Sequence, residues 1–181
     1  MNIASKDLLQ DLVKRTQNNL KEAEKFNELS IEMLNGRNAP GSWSILECLE
    51  HLNLYGDFYL PEIENRMSAS NKEGTPIFKS GFLGNYFAKS MLPKEKLNKM
   101  TTFKDKDPIN KTLDKKCIDR FIRQQKKTLE LLDIAGNKDL SKVKTSISIS
   151  KWMKLKLGDT FRVLIYHNER HVVQANKIAH R

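Results

Sequence analysis

Two histidines stand four residues apart in the stretch YHNERHVVQ, residues 166–174. Residues four apart on a helix project from nearly the same face, so the imidazoles of His167 and His171 could bind one metal ion together. Two imidazoles alone make a weak site, whereas a third from a facing helix leaves one coordination position for water or substrate. Of the four histidines in the chain, His51 is the candidate for that third ligand.

The sequence also allows an ordinary structural role for these histidines. A single histidine beside an apolar stripe, such as His51, is commonly a half-buried, hydrogen-bonded residue. Burying His167 and His171 together without a shared partner would leave ring nitrogens unsatisfied, which favours a ligand role. The remaining histidine, His180, stands next to the last residue, where fraying disfavours an accurate ligand geometry.

The acidic neighbours argue against a zinc-protease site. In the H-E-x-x-H motif a glutamate directly follows the first histidine, but Asn168 holds that position here. Glu169 lies about 200° around the helix from His167, so it should point away and pair with a basic residue. Nothing in the sequence indicates a nucleophilic triad or a phosphate-binding loop.

Glu47 has two possible roles. It stands four residues before His51 and could accept a hydrogen bond from that ring. Alternatively, Ser44 and Glu47 form the S-x-x-E pattern of a capping box, flanked by Trp43 and Cys48 as a hydrophobic staple. The pattern predicts that a helix begins at Ser44 and carries His51 towards the protein interior.

The spacing of apolar residues predicts four long amphipathic helices. The first covers residues 5–34 with Ser5 as its N-cap; the second begins at Ser44; the third runs from about residue 113 to just before Gly136; the fourth begins between Lys151 and Leu157 and runs to about Ile178. A four-helix bundle in one domain, residues 1–181, follows from this pattern.

An insertion at about residues 72–108 separates the second and third helices. It contains a loop, a shorter amphipathic helix within residues 77–93, and a Lys-rich, turn-prone segment over 94–110. Residues 139–150 are predicted only as a linker, which could be extended. The fold class expected is therefore all-α, with a short helical insertion.

Composition indicates a soluble, intracellular protein. No apolar run approaches the roughly 20 residues of a membrane span, and the first residues lack a signal-peptide core, which predicts a cytoplasmic location. Cys48 and Cys117 are expected to be buried thiols. The net charge is +10, and residues 89–127 hold thirteen basic and five acidic residues. That stretch could bind an acidic partner or be a solvated lysine-rich face, and the latter is favoured because no nucleic-acid motif accompanies it.

The stretches GSWSILECLEHLNLY and GDTFRVLIYHNERHVVQANKI together resemble the DinB-like (DinB/YfiT) superfamily. The most specific parts are W-S-x-x-E-x-x-x-H at residues 43–51 and H-x-x-x-H-x-x-Q at 167–174. The resemblance implies an up-down-down-up four-helix bundle, often a homodimer, with a divalent metal held by His51, His167 and His171. Zinc or nickel is the expected ion, with manganese or iron as alternatives.

Members of this superfamily with an assigned activity look like metal-dependent transferases that attach a low-molecular-weight thiol to an electrophile, or related hydrolases and isomerases. The resemblance therefore implies a small-molecule substrate, with Tyr55, Tyr59 and Gln174 either lining its pocket or packing in the core. The alternative is a non-enzymatic interaction module with a structural metal and a basic surface for an acidic partner. Nucleic-acid binding has little support in the sequence.

Overall fold

The computed structural model describes residues 1–93, 102–148 and 150–180. The chain is mostly helical, as predicted. The helices are α1 (Ser5–Phe26), α2 (Ile31–Asn35), α3 (Ile45–Ser68), α4 (Phe82–Met91), α5 (Lys116–Ala135) and α6 (Leu157–Ala179). The strands are β1 (Asn2–Ala4), β2 (Ile77–Lys79), β3 (Lys144–Ile147) and β4 (Ser150–Lys156), and a 3-10 turn covers Lys104–Lys106.

The four long helices bury their apolar faces against one another. Helices α1 and α3 each pack against both α5 and α6. One apolar cluster joins the first halves of α1 and α6 to the second halves of α3 and α5. A second cluster joins the opposite halves of the same helices. On α6, His167 lies between these two clusters, directly after Tyr166 of the first and before Val172 of the second.

The prediction of one continuous helix over residues 5–34 is wrong. Helix α1 ends at Phe26, and α2 begins at Ile31, where the Ser30 side chain accepts a hydrogen bond from the Met33 amide. Ser5 is not an N-cap either, because the helix begins at Ser5 itself and Ala4 precedes it without a side-chain cap.

The predicted start of α3 is confirmed. Ser44 Oγ accepts from the Glu47 amide at 3.2 Å, and Glu47 Oε2 accepts from the Ser44 amide at 2.8 Å. This reciprocal capping satisfies two main-chain donors that a helix start leaves unpaired. It fixes the first turn of α3, one turn before His51.

Short strands replace parts of the predicted helix and linker. Residues 77–79 form β2, which pairs with β1, so the helix of the insertion begins only at Phe82. The second half of the linker at 139–150 contains β3 and the first residue of β4, which pairs with β3 and continues to Lys156 before α6 begins at Leu157. Residues 94–101 of the lysine-rich segment lie outside the described part of the chain.

A buried ion pair fastens α4 to the start of α6. The Asp159 carboxylate accepts hydrogen bonds from Ser80 Oγ, from the Gly81 amide at 2.7 Å and from Arg162 Nη1 at 3.0 Å. Arg162 Nη2 also donates to Asn85 Oδ1 at 3.2 Å. The insertion is therefore held against the long helices by charge-assisted bonds from α6.

Two further expectations concern the cysteines and the membrane. Cys48 and Cys117 are buried and form no disulfide, as predicted. Burial raises the pKa of both thiols, that of Cys117 to about 12. Among the described helices, none has the length and apolar character that crossing a membrane requires.

Candidate metal centre

The structure brings His51 of α3 together with His167 and His171 of α6. Candidate ligand atoms of the three rings all lie within 4.8 Å of one another. The Nε2 atoms of His51 and His167 are 3.1 Å apart. His180, in contrast, is exposed at the carboxyl end of α6, as expected for a histidine outside the site.

The distance between His51 and His167 suits a tetrahedral ion. Zinc–imidazole bonds of about 2.0–2.1 Å in tetrahedral geometry separate neighbouring nitrogens by about 3.3 Å, close to the His51–His167 spacing. Three nitrogen donors on two helices leave one coordination position. The cluster could therefore hold a divalent ion with an open side.

A main-chain carbonyl orients His51. Its Nδ1 lies 2.7 Å from the oxygen of Lys106, in the 3-10 turn. Because a carbonyl only accepts hydrogen bonds, Nδ1 must carry the proton and Nε2 presents its lone pair to the cluster. Asp107 stabilises this turn, because its Oδ1 accepts hydrogen bonds from Trp43 Nε1 and from the Ile109 amide, both at 3.1 Å.

The possible role of Glu47 as the acceptor for the His51 ring is wrong. Its carboxylate accepts from the Ser44 amide, from Arg37 Nη2 at 2.6 Å and from the Asn110 amide at 2.7 Å. Capping is therefore its role at the start of α3. The same carboxylate ties the residues after the 3-10 turn to the helix.

Gln174 supports the second ring of the pair on α6. Its Oε1 lies 2.9 Å from Nδ1 of His171, so the amide oxygen can accept that proton and leave Nε2 of His171 for a ligand role. Trp43 packs against both His51 and His171, with ring centroids 4.6 Å and 5.5 Å away. The rings are thus constrained by hydrogen bonds and by an aromatic wall.

Burial keeps the three imidazoles neutral. Loss of hydration lowers the pKa of His51 to about 4 and that of His171 to about 3, and it holds the pKa of His167 well below its ordinary value. Protons therefore do not compete for the ring nitrogens near neutral pH. Burial also raises the pKa of Tyr55 to about 12, so its hydroxyl stays protonated.

The histidines lie on the wall of a cavity of about 1000 Å³. Tyr55, Tyr59 and Gln174 all line the cavity. The sequence had allowed either a pocket or a core position for each of them. The wall is mainly apolar and aromatic, and helix α4 and the residues around the 3-10 turn supply one side of it. A cavity of this size accommodates a small-molecule substrate.

Comparison with protein families identifies the chain. The model of the DinB superfamily matches residues 12–175, a range that includes all three clustered histidines. The chain belongs to the DinB superfamily. No curated protein and no solved structure shows a significant match to it.

Two further residues of this DinB superfamily protein, Glu169 and Asn168, lie close to the histidine cluster in the sequence. Glu169 points away from the cluster, and its Oε2 accepts from Arg15 Nη1 at 2.6 Å, as expected. Asn168, at the position of the protease glutamate, is buried with its amide 3.4 Å from Gln125 Oε1. The site therefore has no carboxylate at the place where the protease motif needs one.

Sequence reasoning missed three contributors to the site: Arg170, Asp107 and the Lys106 carbonyl. Arg170 lines the cavity, and its position three residues after His167 on the same helical face was a usable signal. Asp107 and the Lys106 carbonyl reach the site because of the way the insertion folds against α3. A main-chain acceptor carries no signature in the sequence.

Proposed function

We propose that this protein is a metal-dependent enzyme that transfers a low-molecular-weight thiol to a small electrophile, or performs a related hydrolysis. His51, His167 and His171 are the ligands of the divalent ion in this proposal. The observation that supports it is the convergence of three neutral imidazoles, two of them oriented by hydrogen bonds, on the wall of a large cavity. Membership of the DinB superfamily is consistent with a metal-associated protein.

A divalent ion bound there would lower the pKa of a thiol or water molecule at its open coordination position. The chain itself supplies orientation and a mainly apolar wall. The Lys106 carbonyl and Gln174 hold the rings of His51 and His171 in one tautomer, and Trp43 and Tyr55 pack against the His51 ring. The protonated Tyr55 hydroxyl is available as a hydrogen-bond donor to a ligand.

Zinc or nickel is the ion that we propose, with manganese or iron as alternatives. Imidazole nitrogens suit zinc, copper, iron and nickel, and affinity generally rises across the first-row divalent metals towards copper. Three nitrogen donors without a carboxylate favour zinc or nickel over manganese.

We also propose the up-down-down-up order of the long helices. Its support is the pairing of helix halves: one core cluster contains the first halves of α1 and α6 with the second halves of α3 and α5. Helices α1 and α6 then run in one direction, and α3 and α5 in the other. We further propose a homodimer in the cytoplasm, which is supported by the resemblance alone. Light scattering after gel filtration tests the dimer.

The interaction-module alternative has less support from the structure. Two cations of the basic 89–127 segment pair with carboxylates of α3: Arg120 with Glu50 and Asp57, and Lys127 with Glu64 at 2.6 Å. These two paired charges attract an acidic partner less strongly than unpaired ones would.

Metal analysis tests the proposed ligands. The purified protein is stripped with a chelator, reloaded with zinc or nickel, and analysed for bound metal by mass spectrometry. We expect one ion per chain, lost in the His51/His167/His171 triple alanine variant and retained in His180→Ala, the matched control. A wild-type protein that takes up no metal, or a triple variant that retains it, would disprove the metal site.

Activity is tested next, on the metal-loaded protein. We expect consumption of a low-molecular-weight thiol in the presence of a small electrophile such as a haloarene, at a rate that falls to background in the triple variant. If the protein bound metal but turned over no thiol or ester substrate, the metal would have a structural role. That result would contradict the enzyme proposal.

A further inference from the structure

The antiparallel strands β3 and β4 form a hairpin with two different faces. Thr145 and Leu155 pair with each other on the inner face, where both are buried. Because side chains alternate along a strand, Lys144, Lys154 and Lys156 belong to the outer face. Lys144 and Lys156 lie directly opposite each other in the ladder. Like charges in that arrangement destabilise a sheet, so the hairpin itself does not account for them.

The positive charge of this outer face is not compensated by acidic side chains. Within the described part of the chain, Lys144 and Lys154 are exposed and form no ion pair, and the same holds for Lys79 of the strand β2. Lys156 connects the two strands, because its Nζ donates to the Lys79 main-chain oxygen at 2.7 Å. These four lysines are called the basic face. A surface of this kind attracts an anionic partner.

Trp152 protrudes beside the basic face. It lies in a bulge of β4, residues 151–153, which the register of the ladder skips. The Ser150 hydroxyl accepts hydrogen bonds from the amides of Trp152 and Met153, both at 3.3 Å, so the bulge has a defined conformation. Trp152 is 96% exposed. An indole ring has an apolar body and one N–H donor, which suits it to a membrane–water interface.

Helix α4 adds exposed apolar side chains next to the basic face. Phe82, the first residue of the helix, is 89% exposed, and Leu83 and Tyr86 are exposed as well. The stem of Lys156 passes the start of this helix, since its Cδ lies 3.9 Å from the place that a Cβ on Gly81 would take. Lysines combined with exposed aromatic and aliphatic side chains are typical of surfaces that bind anionic membranes.

We propose that this side of the protein binds the surface of an anionic phospholipid bilayer. The basic face contacts the lipid phosphates, and Trp152 and Phe82 insert between the headgroups. The inference goes beyond the proposed enzyme activity and does not depend on it, because none of these residues belongs to the histidine cluster.

Two other occupants fit this surface less well. A second copy of the chain would form a two-fold interface, which brings the same lysines of both copies together. Single-stranded nucleic acid is bound in a groove where its bases stack on aromatic rings, whereas Trp152 and Phe82 protrude with most of their surface in solvent. Protruding aromatic side chains are accommodated by a soft lipid interface.

Co-sedimentation with lipid vesicles tests the inference. One set of vesicles contains phosphatidylcholine alone, and the other contains equal parts of phosphatidylcholine and phosphatidylglycerol. We expect the anionic vesicles to bind at least about tenfold more tightly, because each lysine near an anionic surface contributes about fivefold. Tryptophan emission should shift to shorter wavelengths on binding, since the ring of Trp152 leaves water.

The Trp152→Ala variant separates the apolar contribution from the charge. It should weaken binding to the anionic vesicles about tenfold, because the indole ring no longer inserts. It should also abolish the emission shift. Thermal unfolding verifies that the variant is folded, which its exposed position leads us to expect.

A double substitution tests the basic face. Lys144→Gln combined with Lys154→Gln should weaken binding to the anionic vesicles about tenfold or more. Lys14→Gln combined with Lys21→Gln is the matched control, since it removes the same charge from exposed positions of α1. The control should bind within about threefold of wild type, because salt screens charges that lie away from the lipid.

Absence of binding to the anionic vesicles, or equal binding to both kinds, would overturn the inference. Binding that Trp152→Ala and the lysine variant both retain in full would do the same. Light scattering on wild type and Trp152→Ala examines self-association, and a dimer that this substitution converts to a monomer would assign the surface to a second copy instead. Tighter binding of a single-stranded oligonucleotide than of the vesicles, lost in the same variants, would assign it to nucleic acid.

Discussion

The Nδ1 atom of His51 lies 2.7 Å from the main-chain oxygen of Lys106, 55 residues further along the chain. This bond connects helix α3 to the 3-10 turn of the insertion. It assigns the proton of the ring to Nδ1 and leaves Nε2 directed at His167. The insertion is therefore part of the structure that orients a candidate ligand, besides forming one side of the cavity.

Loosening this turn should weaken metal binding without removing a ligand. We expect Asp107→Ala to lower zinc affinity roughly tenfold, because hydrogen-bond partners of ligating histidines typically contribute 10–100-fold. Asp107 holds the turn through Trp43 and the Ile109 amide. Competition with a chromophoric chelator measures the affinity.

Asp105→Ala is the matched control for that substitution. It removes the same charge from the same turn, but the Asp105 side chain is 73% exposed and pairs with Lys106 at 3.5 Å. Its zinc affinity should equal that of wild type. Equal losses in the two variants would show that charge near the site matters and that the turn does not.

The metal-free protein should lose stability as the pH falls from about 6.5 towards 4. Burial lowers the pKa of His51 from 6.5 to about 4 and that of His171 to about 3, so the unfolded chain binds protons in this range while the folded chain does not. The free energy of unfolding therefore decreases with decreasing pH. Urea titrations at pH 7, 6 and 5 measure the slope.

The triple alanine variant isolates the contribution of the histidines to that slope. Carboxylates and other groups titrate identically in both proteins, so the difference between the two curves belongs to the three rings. We expect a shallower dependence in the variant. Superimposable curves would mean that the rings are accessible to solvent and protonate normally.

Local patterns in the sequence were sufficient for part of the site. The spacing of His167 and His171 predicted their common face, and the Ser44–Glu47 pattern predicted where α3 begins, which places His51 opposite them. These are relations within one or two helical turns, where geometry follows directly from residue spacing. Relations of this range also predicted that Glu169 points away.

Relations over longer distances were not predictable. The bond from His51 to the Lys106 carbonyl depends on how the insertion folds back, and a main-chain oxygen has no residue type to mark it. The break after Phe26 was missed for another reason: Leu29 and Leu34 continue the apolar spacing of α1, so periodicity cannot reveal that Ser30 caps a new helix.

Breaking the buried ion pair at the base of α4 should destabilise the protein strongly. Asp159 and Arg162 have side-chain exposures of 0% and 3%, so Asp159→Ala leaves a buried guanidinium without its carboxylate. We expect a loss of roughly 3–5 kcal/mol in the free energy of unfolding. Chemical denaturation measures it.

Asp57→Ala provides the comparison at an exposed pair. Asp57 contacts Arg120, but half of its side chain is exposed, and such pairs contribute about 0–1 kcal/mol. A loss at Asp159 no larger than that at Asp57 would contradict the view that α4 is fastened through this pair.

Two helical glycines should differ in how much stability they lose on substitution by alanine. A Cβ at Gly84 of α4 would collide with the Asp159 carboxylate, which is fixed by Ser80, Gly81 and Arg162. Neither partner can yield without losing buried bonds. We therefore expect Gly84→Ala to lower the free energy of unfolding by about 1–3 kcal/mol, as overpacking does, despite the better helix propensity of alanine.

The atoms nearest to a Cβ at Gly56 of α3 belong to the amide end of Gln124, a flexible side chain that donates to the Asn53 carbonyl and to Asp57. Moving that amide gives up about 0.5–1.5 kcal/mol per hydrogen bond, while alanine gains about 1 kcal/mol of helix propensity over glycine. With two such bonds given up, Gly56→Ala should lose about 0–2 kcal/mol, less than Gly84→Ala. Equal destabilisation at the two positions would mean that helix α4 can move away from α6 as easily as the Gln124 side chain can change its conformation. The hydrogen bonds of Asp159 would then not fix the position of α4 in the cavity wall.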